Sequence, residues 1–185
     1  GVNIYKYTDL SGINTNNCVI QKSMPNPDLY DGKRYKMRIH VILYNKNVYY
    51  CKNHWTSIST INYDNSNNSE LREMHVVYQK KDTLWIISDK LKNYNLIENN
   101  IILALKDFKK YYLKEIENIT DKEFVILGFD FVVDSHMNVH IIEINHRSNY
   151  GHPKLISEKT DVLCIKDLIK LLVNKTTKDT DLVLL

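Results

Sequence analysis

The stretch ILGFDFVVDSHMNVHIIEIN, residues 126–145, decides how this part of the chain is expected to fold. Two apolar runs flank the polar segment DSHMN, a pattern that predicts a β-hairpin packed on a core. A turn centred between His136 and Met137 predicts three cross-strand pairs: Asp134–Val139, Val132–Ile141 and Asp130–Glu143. Because side chains alternate along a strand, Asp130, Glu143 and Asn145 are expected to share one face, and the apolar residues the other.

Asp130 and Glu143 are unusual in such a hairpin, because like charges roughly 5 Å apart across a ladder repel each other. A shared proton, with one pKa raised, would relieve the repulsion. A bound divalent cation is the more economical explanation, since Asp, Glu and Asn oxygens are the hard ligands that suit Mg²⁺. A solvated polar face of the sheet is the third interpretation, and spacing alone leaves it open. Asp130, Glu143 and Asn145 are therefore candidate Mg²⁺ ligands.

The segment KRYKMRIHVILYNKNVYYCK, residues 33–52, predicts a second hairpin that turns near Asn45. Its first strand alternates apolar residues with a basic set: Arg34, Lys36, Arg38 and His40. Basic groups on one face are stabilised by carboxylates or phosphates, and the alternative is a solvated outer face. Combined with an oxygen-rich cation site, the basic face would supply the second half of a magnesium–nucleotide site.

Two amphipathic helices are predicted over residues 101–116 and 162–175, where apolar residues recur at helical spacing. Asp161 is the expected N-cap of the second helix. The segments HVVYQ (75–79) and TLWIIS (83–88) are candidate short strands.

Strands come first along the chain and are followed by helix, hairpin and helix, an order that favours the α+β class. We expect residues 1–185 to form a single domain. The Asn- and Ser-rich stretch at 61–70 is expected to be a mobile loop.

Bulk composition limits the classes of partner. A net charge of +3 over 185 residues is too mild to predict nucleic-acid binding. No apolar run approaches the roughly 18 residues that a bilayer-spanning helix needs, so no membrane partner is expected. The three cysteines, Cys18, Cys51 and Cys164, are far apart and fit no metal spacing, which favours a reduced, cytoplasmic location.

Two segments together resemble the tubulin tyrosine ligase-like family of ATP-grasp enzymes: VIQKSMPNPDLYDGKRYKMRIHVIL (19–43) and LGFDFVVDSHMNVHIIEIN (127–145). The family shows IQKY-I-P-L, then GRKFDLR, and later GxDF-x-x-D followed by LLEVN. The motifs occur here in matching order, with the family's interval between Asp130 and Glu143. The resemblance implies an ATP-grasp-like antiparallel sheet packed with helices. It also implies ATP and Mg²⁺ as cofactors and a protein or peptide substrate such as tubulin. The family's reaction is ATP-dependent amide ligation through an acylphosphate.

The resemblance assigns roles to individual residues. Gln21, Lys22 and the backbone near Met24 match the hinge that contacts adenine. Arg38 matches the arginine that closes KFDLR and implies a catalytic contact with phosphate or the incoming carboxylate. The implied Mg²⁺ ligands are three residues of the hairpin at 126–145: Asp130, Glu143 and Asn145.

Several positions depart from the family pattern. Arg34 and Lys36 stand where the family has Lys and then Asp, and both are kept as candidate nucleotide contacts. Lys52 can replace the first arginine of the family's Y-R-E-G-x-x-R and is a candidate catalytic residue. The opening GVNI resembles the remnant of a glycine-rich loop, so the N-terminal lobe is expected upstream of Gly1.

These departures leave other functions open. The first alternative is a degenerate ATP-grasp module that binds nucleotide or a protein partner without catalysis. The second is an ATP-grasp ligase that acts on small molecules or peptides. The three intact metal-ligand positions favour the active protein ligase.

Overall fold

The computed structural model describes residues 24, 26–63, 83–146 and 153–185, and over these it shows an α+β fold. The strands are β1 (Lys33–Tyr44), β2 (Asn47–Cys51), β3 (Trp55–Asn62), β4 (Leu84–Ile87), β5 (Phe124–Val133), β6 (Val139–Asn145) and β7 (Leu182–Leu184). The helices are α1 (Tyr94–Tyr111), α2 (Leu113–Glu117), α3 (Lys154–Lys159) and α4 (Asp161–Asn174), with a 3₁₀ turn at Ser88–Lys90. Gln21, Lys22 and the strand predicted at 75–79 lie outside the described residues.

β1 is the central strand of the sheet, whose described strands number seven and pair antiparallel. Along one edge its first half pairs with β3 and its second half with β2. Along the other edge it pairs with β5 from Met37 to Tyr44. β4 and β7 extend the first side, and β6 pairs with the outer edge of β5. The hairpins predicted at 33–52 and 126–145 are therefore both present and share this sheet.

The period-two pattern of β1 separates two chemistries onto two faces of the sheet. One face carries Tyr35, Met37, Ile39, Val41 and Leu43, which are buried with α1 and β5 in the main apolar core. The other face carries the basic residues and then Ile42 and Tyr44, which pack in a second cluster against α4. The basic set is itself buried, at 8% exposure or less, so the solvated outer face considered from the sequence is not what forms.

The β5–β6 hairpin has the predicted Asp130–Glu143 pair, but two other predicted pairs are wrong by one residue. Val139 pairs with Val133, and Val132 pairs with His140. The turn is shifted because Met137 adopts a left-handed conformation (φ 66°) and Asp134 pairs with Asn138 through its backbone. A bulge in β6 then inserts one extra residue, Ile142: Ile141 pairs with Phe131, and Glu143 pairs with the next residue of β5, Asp130. The two displacements cancel at Glu143.

The two predicted helices are present with different limits. Helix α1 begins at Tyr94, before residue 101, and a non-helical Tyr112 (φ −107°, ψ 24°) separates it from α2. Helix α4 begins at Asp161, with Thr160 at the N-cap position, so Asp161 is not the cap. Its carboxylate binds His40 on β1 instead.

The predicted loop at 61–70 begins later than expected, because β3 continues through Asn62. Residues 64–70 lie outside the described part of the chain. In the described ranges no helix combines the length and apolar character that crossing a membrane requires.

Cys51 and Cys164 are brought together as a disulfide, with their Cα atoms 5.9 Å apart. The sequence favoured reduced cysteines, because the three cysteines are far apart along the chain and fit no metal spacing; the two residues of this pair are 113 positions apart. Packing of α4 against β2 closes that distance.

Candidate functional site

Four side chains form a row across the middle of the sheet. Trp55 on β3 pairs with Arg38 on β1, Arg38 pairs with Asp130 on β5, and Asp130 pairs with Glu143 on β6. Residues directly opposite each other in an antiparallel sheet project to the same face, so the row is a continuous line of side chains. We call Lys36, Arg38, Asp130, Glu143 and Asn145 the central cluster.

Asp130 is the buried anion of the central cluster, with 1% of its surface exposed. Arg38 forms a bidentate ion pair with it: Nη2 donates to Oδ2 at 2.9 Å, and Nε donates to Oδ1. Lys36 Nζ donates to Oδ2 at 3.0 Å. Charge-assisted bonds of this kind offset the cost of desolvating all three groups. Asp130 is therefore held by the basic strand as well as facing Glu143.

Asn145 joins the two sides of the central cluster. In the amide orientation that satisfies both neighbours, its nitrogen donates to Glu143 Oε1 at 2.9 Å and its oxygen accepts from Arg38 Nη2 at 3.3 Å. Asn145 pairs with Gly128 on β5, two residues before Asp130 and therefore on the same face. The three predicted metal ligands and Arg38 thus lie at one place on the sheet.

The chemistry of these oxygens suits Mg²⁺, which takes few protein ligands and shares its remaining positions with phosphates and water. Glu143 is exposed and Asn145 is partly exposed, whereas the oxygens of Asp130 already accept from Lys36 and Arg38. Over the described ranges, no group of three or more His, Cys, Asp or Glu side chains is arranged as a metal centre. Glu143 and Asn145 are consequently the members best placed to bind a cation.

Arg34 lies farther along the same face of β1 and reaches the predicted hinge. Its Nη2 donates to the carbonyl oxygen of Met24 at 3.1 Å, and its guanidinium lies 4.6 Å from the centre of the Tyr63 ring. Two of the candidate nucleotide contacts, Arg34 and Met24, therefore contact each other, and a third, Lys36, lies in the central cluster.

Lys52 is not brought to the central cluster by any contact within the described residues. It lies in the exposed turn between β2 and β3, where its backbone N–H donates to Asp181 O at 3.1 Å. The adjoining His54 is buried: its Nδ1 donates to Cys51 O and its Nε2 accepts from Tyr94 Oη at 2.9 Å. Burial lowers the pKa of His54 to about 4, so the ring is neutral near pH 7.

Two contacts in this region were not predicted from the sequence. The Trp55 ring lies under Arg38, with 5.7 Å between the guanidinium carbon and the ring centre. His40 Nε2 donates to Asp161 Oδ1 at 2.8 Å, which connects the basic face to the first residue of α4. For the Arg38–Trp55 contact, the available signal in the sequence was the position of Trp55 just after the β2–β3 turn. The His40–Asp161 contact, between residues 121 apart, had none.

Comparison with known proteins adds no assignment: no protein-family model matches the chain, and no curated protein matches it.

Proposed function

We propose that the chain carries the magnesium- and nucleotide-binding part of an ATP-grasp ligase of the tubulin tyrosine ligase-like type. The observation that supports the proposal is the convergence of Arg38, Asp130, Glu143 and Asn145 on one face of one sheet. The resemblance implies a role for each of these residues, and they come from three different strands.

Each member of the site has a task in this proposal. Arg38 and Lys36 present positive charge to the phosphates and to the substrate carboxylate. Arg34 holds the Met24 carbonyl and so keeps the hinge backbone in place beside the adenine. Glu143 and Asn145 would hold Mg²⁺, with Asp130 next to them. When bound, Mg²⁺ neutralises charge on the β- and γ-phosphates of ATP.

The proposed reaction forms an amide bond in two steps. An oxygen of the substrate carboxylate attacks the γ-phosphorus of ATP, which breaks the bond to the β-phosphate oxygen and releases ADP. The amine of the second substrate then attacks the acylphosphate carbonyl, loses a proton and expels inorganic phosphate. Cationic groups at the phosphoryl group stabilise the charge that develops there, and Arg38 supplies such a group on this chain.

The geometry also supports a second candidate, a degenerate module that binds without catalysis. Both oxygens of Asp130 are engaged by Lys36 and Arg38, and Lys52 lies apart from the central cluster. A cation that uses Asp130 would have to displace one of those bonds. This candidate requires nucleotide or partner binding and no product formation.

Binding of ATP to the full chain, measured by calorimetry with and without Mg²⁺, tests the site. We expect Mg²⁺-dependent binding that Glu143→Gln weakens by about tenfold or more, because an amide is a poorer ligand than a carboxylate. Glu117→Gln, at an exposed glutamate on α2, is the matched control and should bind as the unmodified chain does. Equal binding by both variants would exclude Glu143 from the site.

Product formation separates the two candidates. The full-length protein is incubated with ATP, a radiolabelled amino acid and a tubulin tail peptide as acceptor, and both ADP and labelled peptide are measured. The ligase is expected to release ADP together with labelled peptide. Mg²⁺-dependent ATP binding with neither product would favour the binding module.

A further inference from the structure

Cys51 and Cys164 meet in the apolar contact between β2 and α4. Both are 2% exposed, and they lie in the same cluster as Ile42 and Leu168. Their Cα separation of 5.9 Å is within the range of roughly 4.4–6.8 Å that a disulfide spans.

This pair connects the turn of Lys52 to α4. Cys51 is the last residue of β2 and directly precedes Lys52. Cys164 follows Asp161 by one helical turn, and Asp161 accepts the hydrogen bond from His40 on the basic face. The covalent link therefore joins the turn to the helix that lies on the same side of the sheet as the central cluster.

Hydrogen bonds hold the same turn independently of the sulfurs. Lys52 N donates to Asp181 O at 3.1 Å, and Asn53 Nδ2 donates to Asp181 Oδ2 at 2.7 Å. Buried thiols are small apolar groups that can occupy the same space as the disulfide. The fold can therefore accommodate either state, and the two states differ locally in how α4 is attached.

We propose that Cys51 and Cys164 are a reversible thiol–disulfide pair that tethers the Lys52 turn to α4. The proposal goes beyond ligase function and needs no nucleotide. Its oxidant is a small-molecule disulfide such as glutathione disulfide. Because both residues are buried, exchange takes place when α4 opens locally from β2. One cysteine thiolate then attacks that disulfide and releases one glutathione thiolate. The other cysteine thiolate then attacks the mixed disulfide and releases the second. Two protein thiols are oxidised, and one glutathione disulfide is reduced to two thiols.

The pairing is tested by counting thiols after equilibration of the full chain in glutathione buffers of graded ratio. Samples are quenched in acid, denatured, labelled with a maleimide and weighed by mass spectrometry. The chain has three cysteines, so the oxidised form should take one label and the fully reduced form three. Peptide mapping should show Cys51 joined to Cys164, and Cys18→Ser should leave that pair unchanged.

Three labels in excess glutathione disulfide, or a cross-link that involves Cys18, would overturn the pairing. Reversal of the cross-link by excess reduced glutathione, with the secondary structure retained, is required for a reversible pair. An irreversible cross-link, or unfolding on reduction, would contradict it.

The tether is tested by amide hydrogen exchange of the oxidised and reduced chain. Reduction should speed exchange in the 52–54 turn and in the first turns of α4, and should leave the β1–β5 pairs at Ile39 and Val41 unchanged. The double variant Cys51→Ala/Cys164→Ala should show the exchange rates of the reduced chain, and these rates should not change with the glutathione ratio. Unchanged exchange on reduction of the natural chain would overturn the tether, whether or not the variant folds.

Discussion

Asp130 shows why a carboxylate can occupy a central position in this sheet. Its two oxygens accept from Arg38 and Lys36, so one buried anion serves two buried cations. Charges removed from water are tolerated only with such partners, and removal of one partner leaves an uncompensated charge. The residue that looked misplaced among apolar neighbours is therefore part of the packing.

Asp130→Ala is expected to lower the free energy of unfolding by about 3–5 kcal/mol, because Lys36 and Arg38 stay buried without their shared carboxylate. Urea denaturation followed by circular dichroism measures the loss. Asp121→Ala, at an exposed turn position, should change stability by no more than about 0.5 kcal/mol. Equal losses for the two variants would show that the ion pairs are not buried as described.

His54 is expected to make stability depend on pH in the mildly acidic range. Burial lowers its pKa from 6.5 to about 4, so between these values the unfolded chain binds a proton that the folded chain does not. Stability is therefore complete above pH 6.5 and falls as the pH decreases toward 4. The free energy of unfolding should be lower by about 2 kcal/mol at pH 5 than at pH 7.

Urea denaturation at both pH values measures this difference for the natural chain and for His54→Gln. The variant lacks the titrating ring, so its stability should change less between pH 7 and pH 5. The same pH dependence in both chains would assign the effect to another group.

Among the elements, the β5–β6 hairpin shows what local sequence can predict. Alternation and a polar turn were enough to place Asp130 opposite Glu143, and that pair forms. The same reasoning could not foresee the left-handed Met137 or the bulge at Ile142, because neither residue type requires such a backbone. The pair was correct because the two one-residue displacements cancel.

Contacts between distant elements were beyond prediction for a different reason. His40 and Cys51 find their partners on α4, and the sequence pattern of a helix gives its apolar face without stating which strand that face covers. Arg38, by contrast, was placed correctly on the basic face because strand alternation is a local property.

Asp134 is expected to stabilise the turn of the β5–β6 hairpin. Burial by itself raises its pKa, but hydrogen bonds from His140, Asn138 and His136 outweigh burial and lower the pKa to about 2. Asp134→Ala should cost about 1 kcal/mol, because the backbone N–H groups of the turn lose their acceptor. Asp134→Asn keeps an acceptor oxygen and should cost less. Hydrogen exchange at His136 and Asn138 reports the turn directly, and unchanged exchange in the Ala variant would contradict this role.

At the scale of the whole molecule, one sheet separates two apolar clusters. The larger lies between the sheet and α1 and contains Leu105; the smaller lies under α4 and contains Leu168. The central cluster shares the α4 face, where the polar half of β1 gives way to Ile42 and Tyr44. Among the described residues, α1 and the central cluster thus lie on opposite faces of the sheet.

Leu105→Ala and Leu168→Ala should each lower the free energy of unfolding by about 2–5 kcal/mol, since both side chains are almost fully buried. The clusters lie on opposite faces of the sheet, so the double variant should lose the sum of the single losses within about 0.5 kcal/mol. Denaturant titrations of the four chains measure this. A larger departure would mean that the sheet transmits packing changes between its faces. In that case α1 could influence the central cluster from the far side, because Met37, which belongs to the α1 core, directly precedes Arg38 on β1.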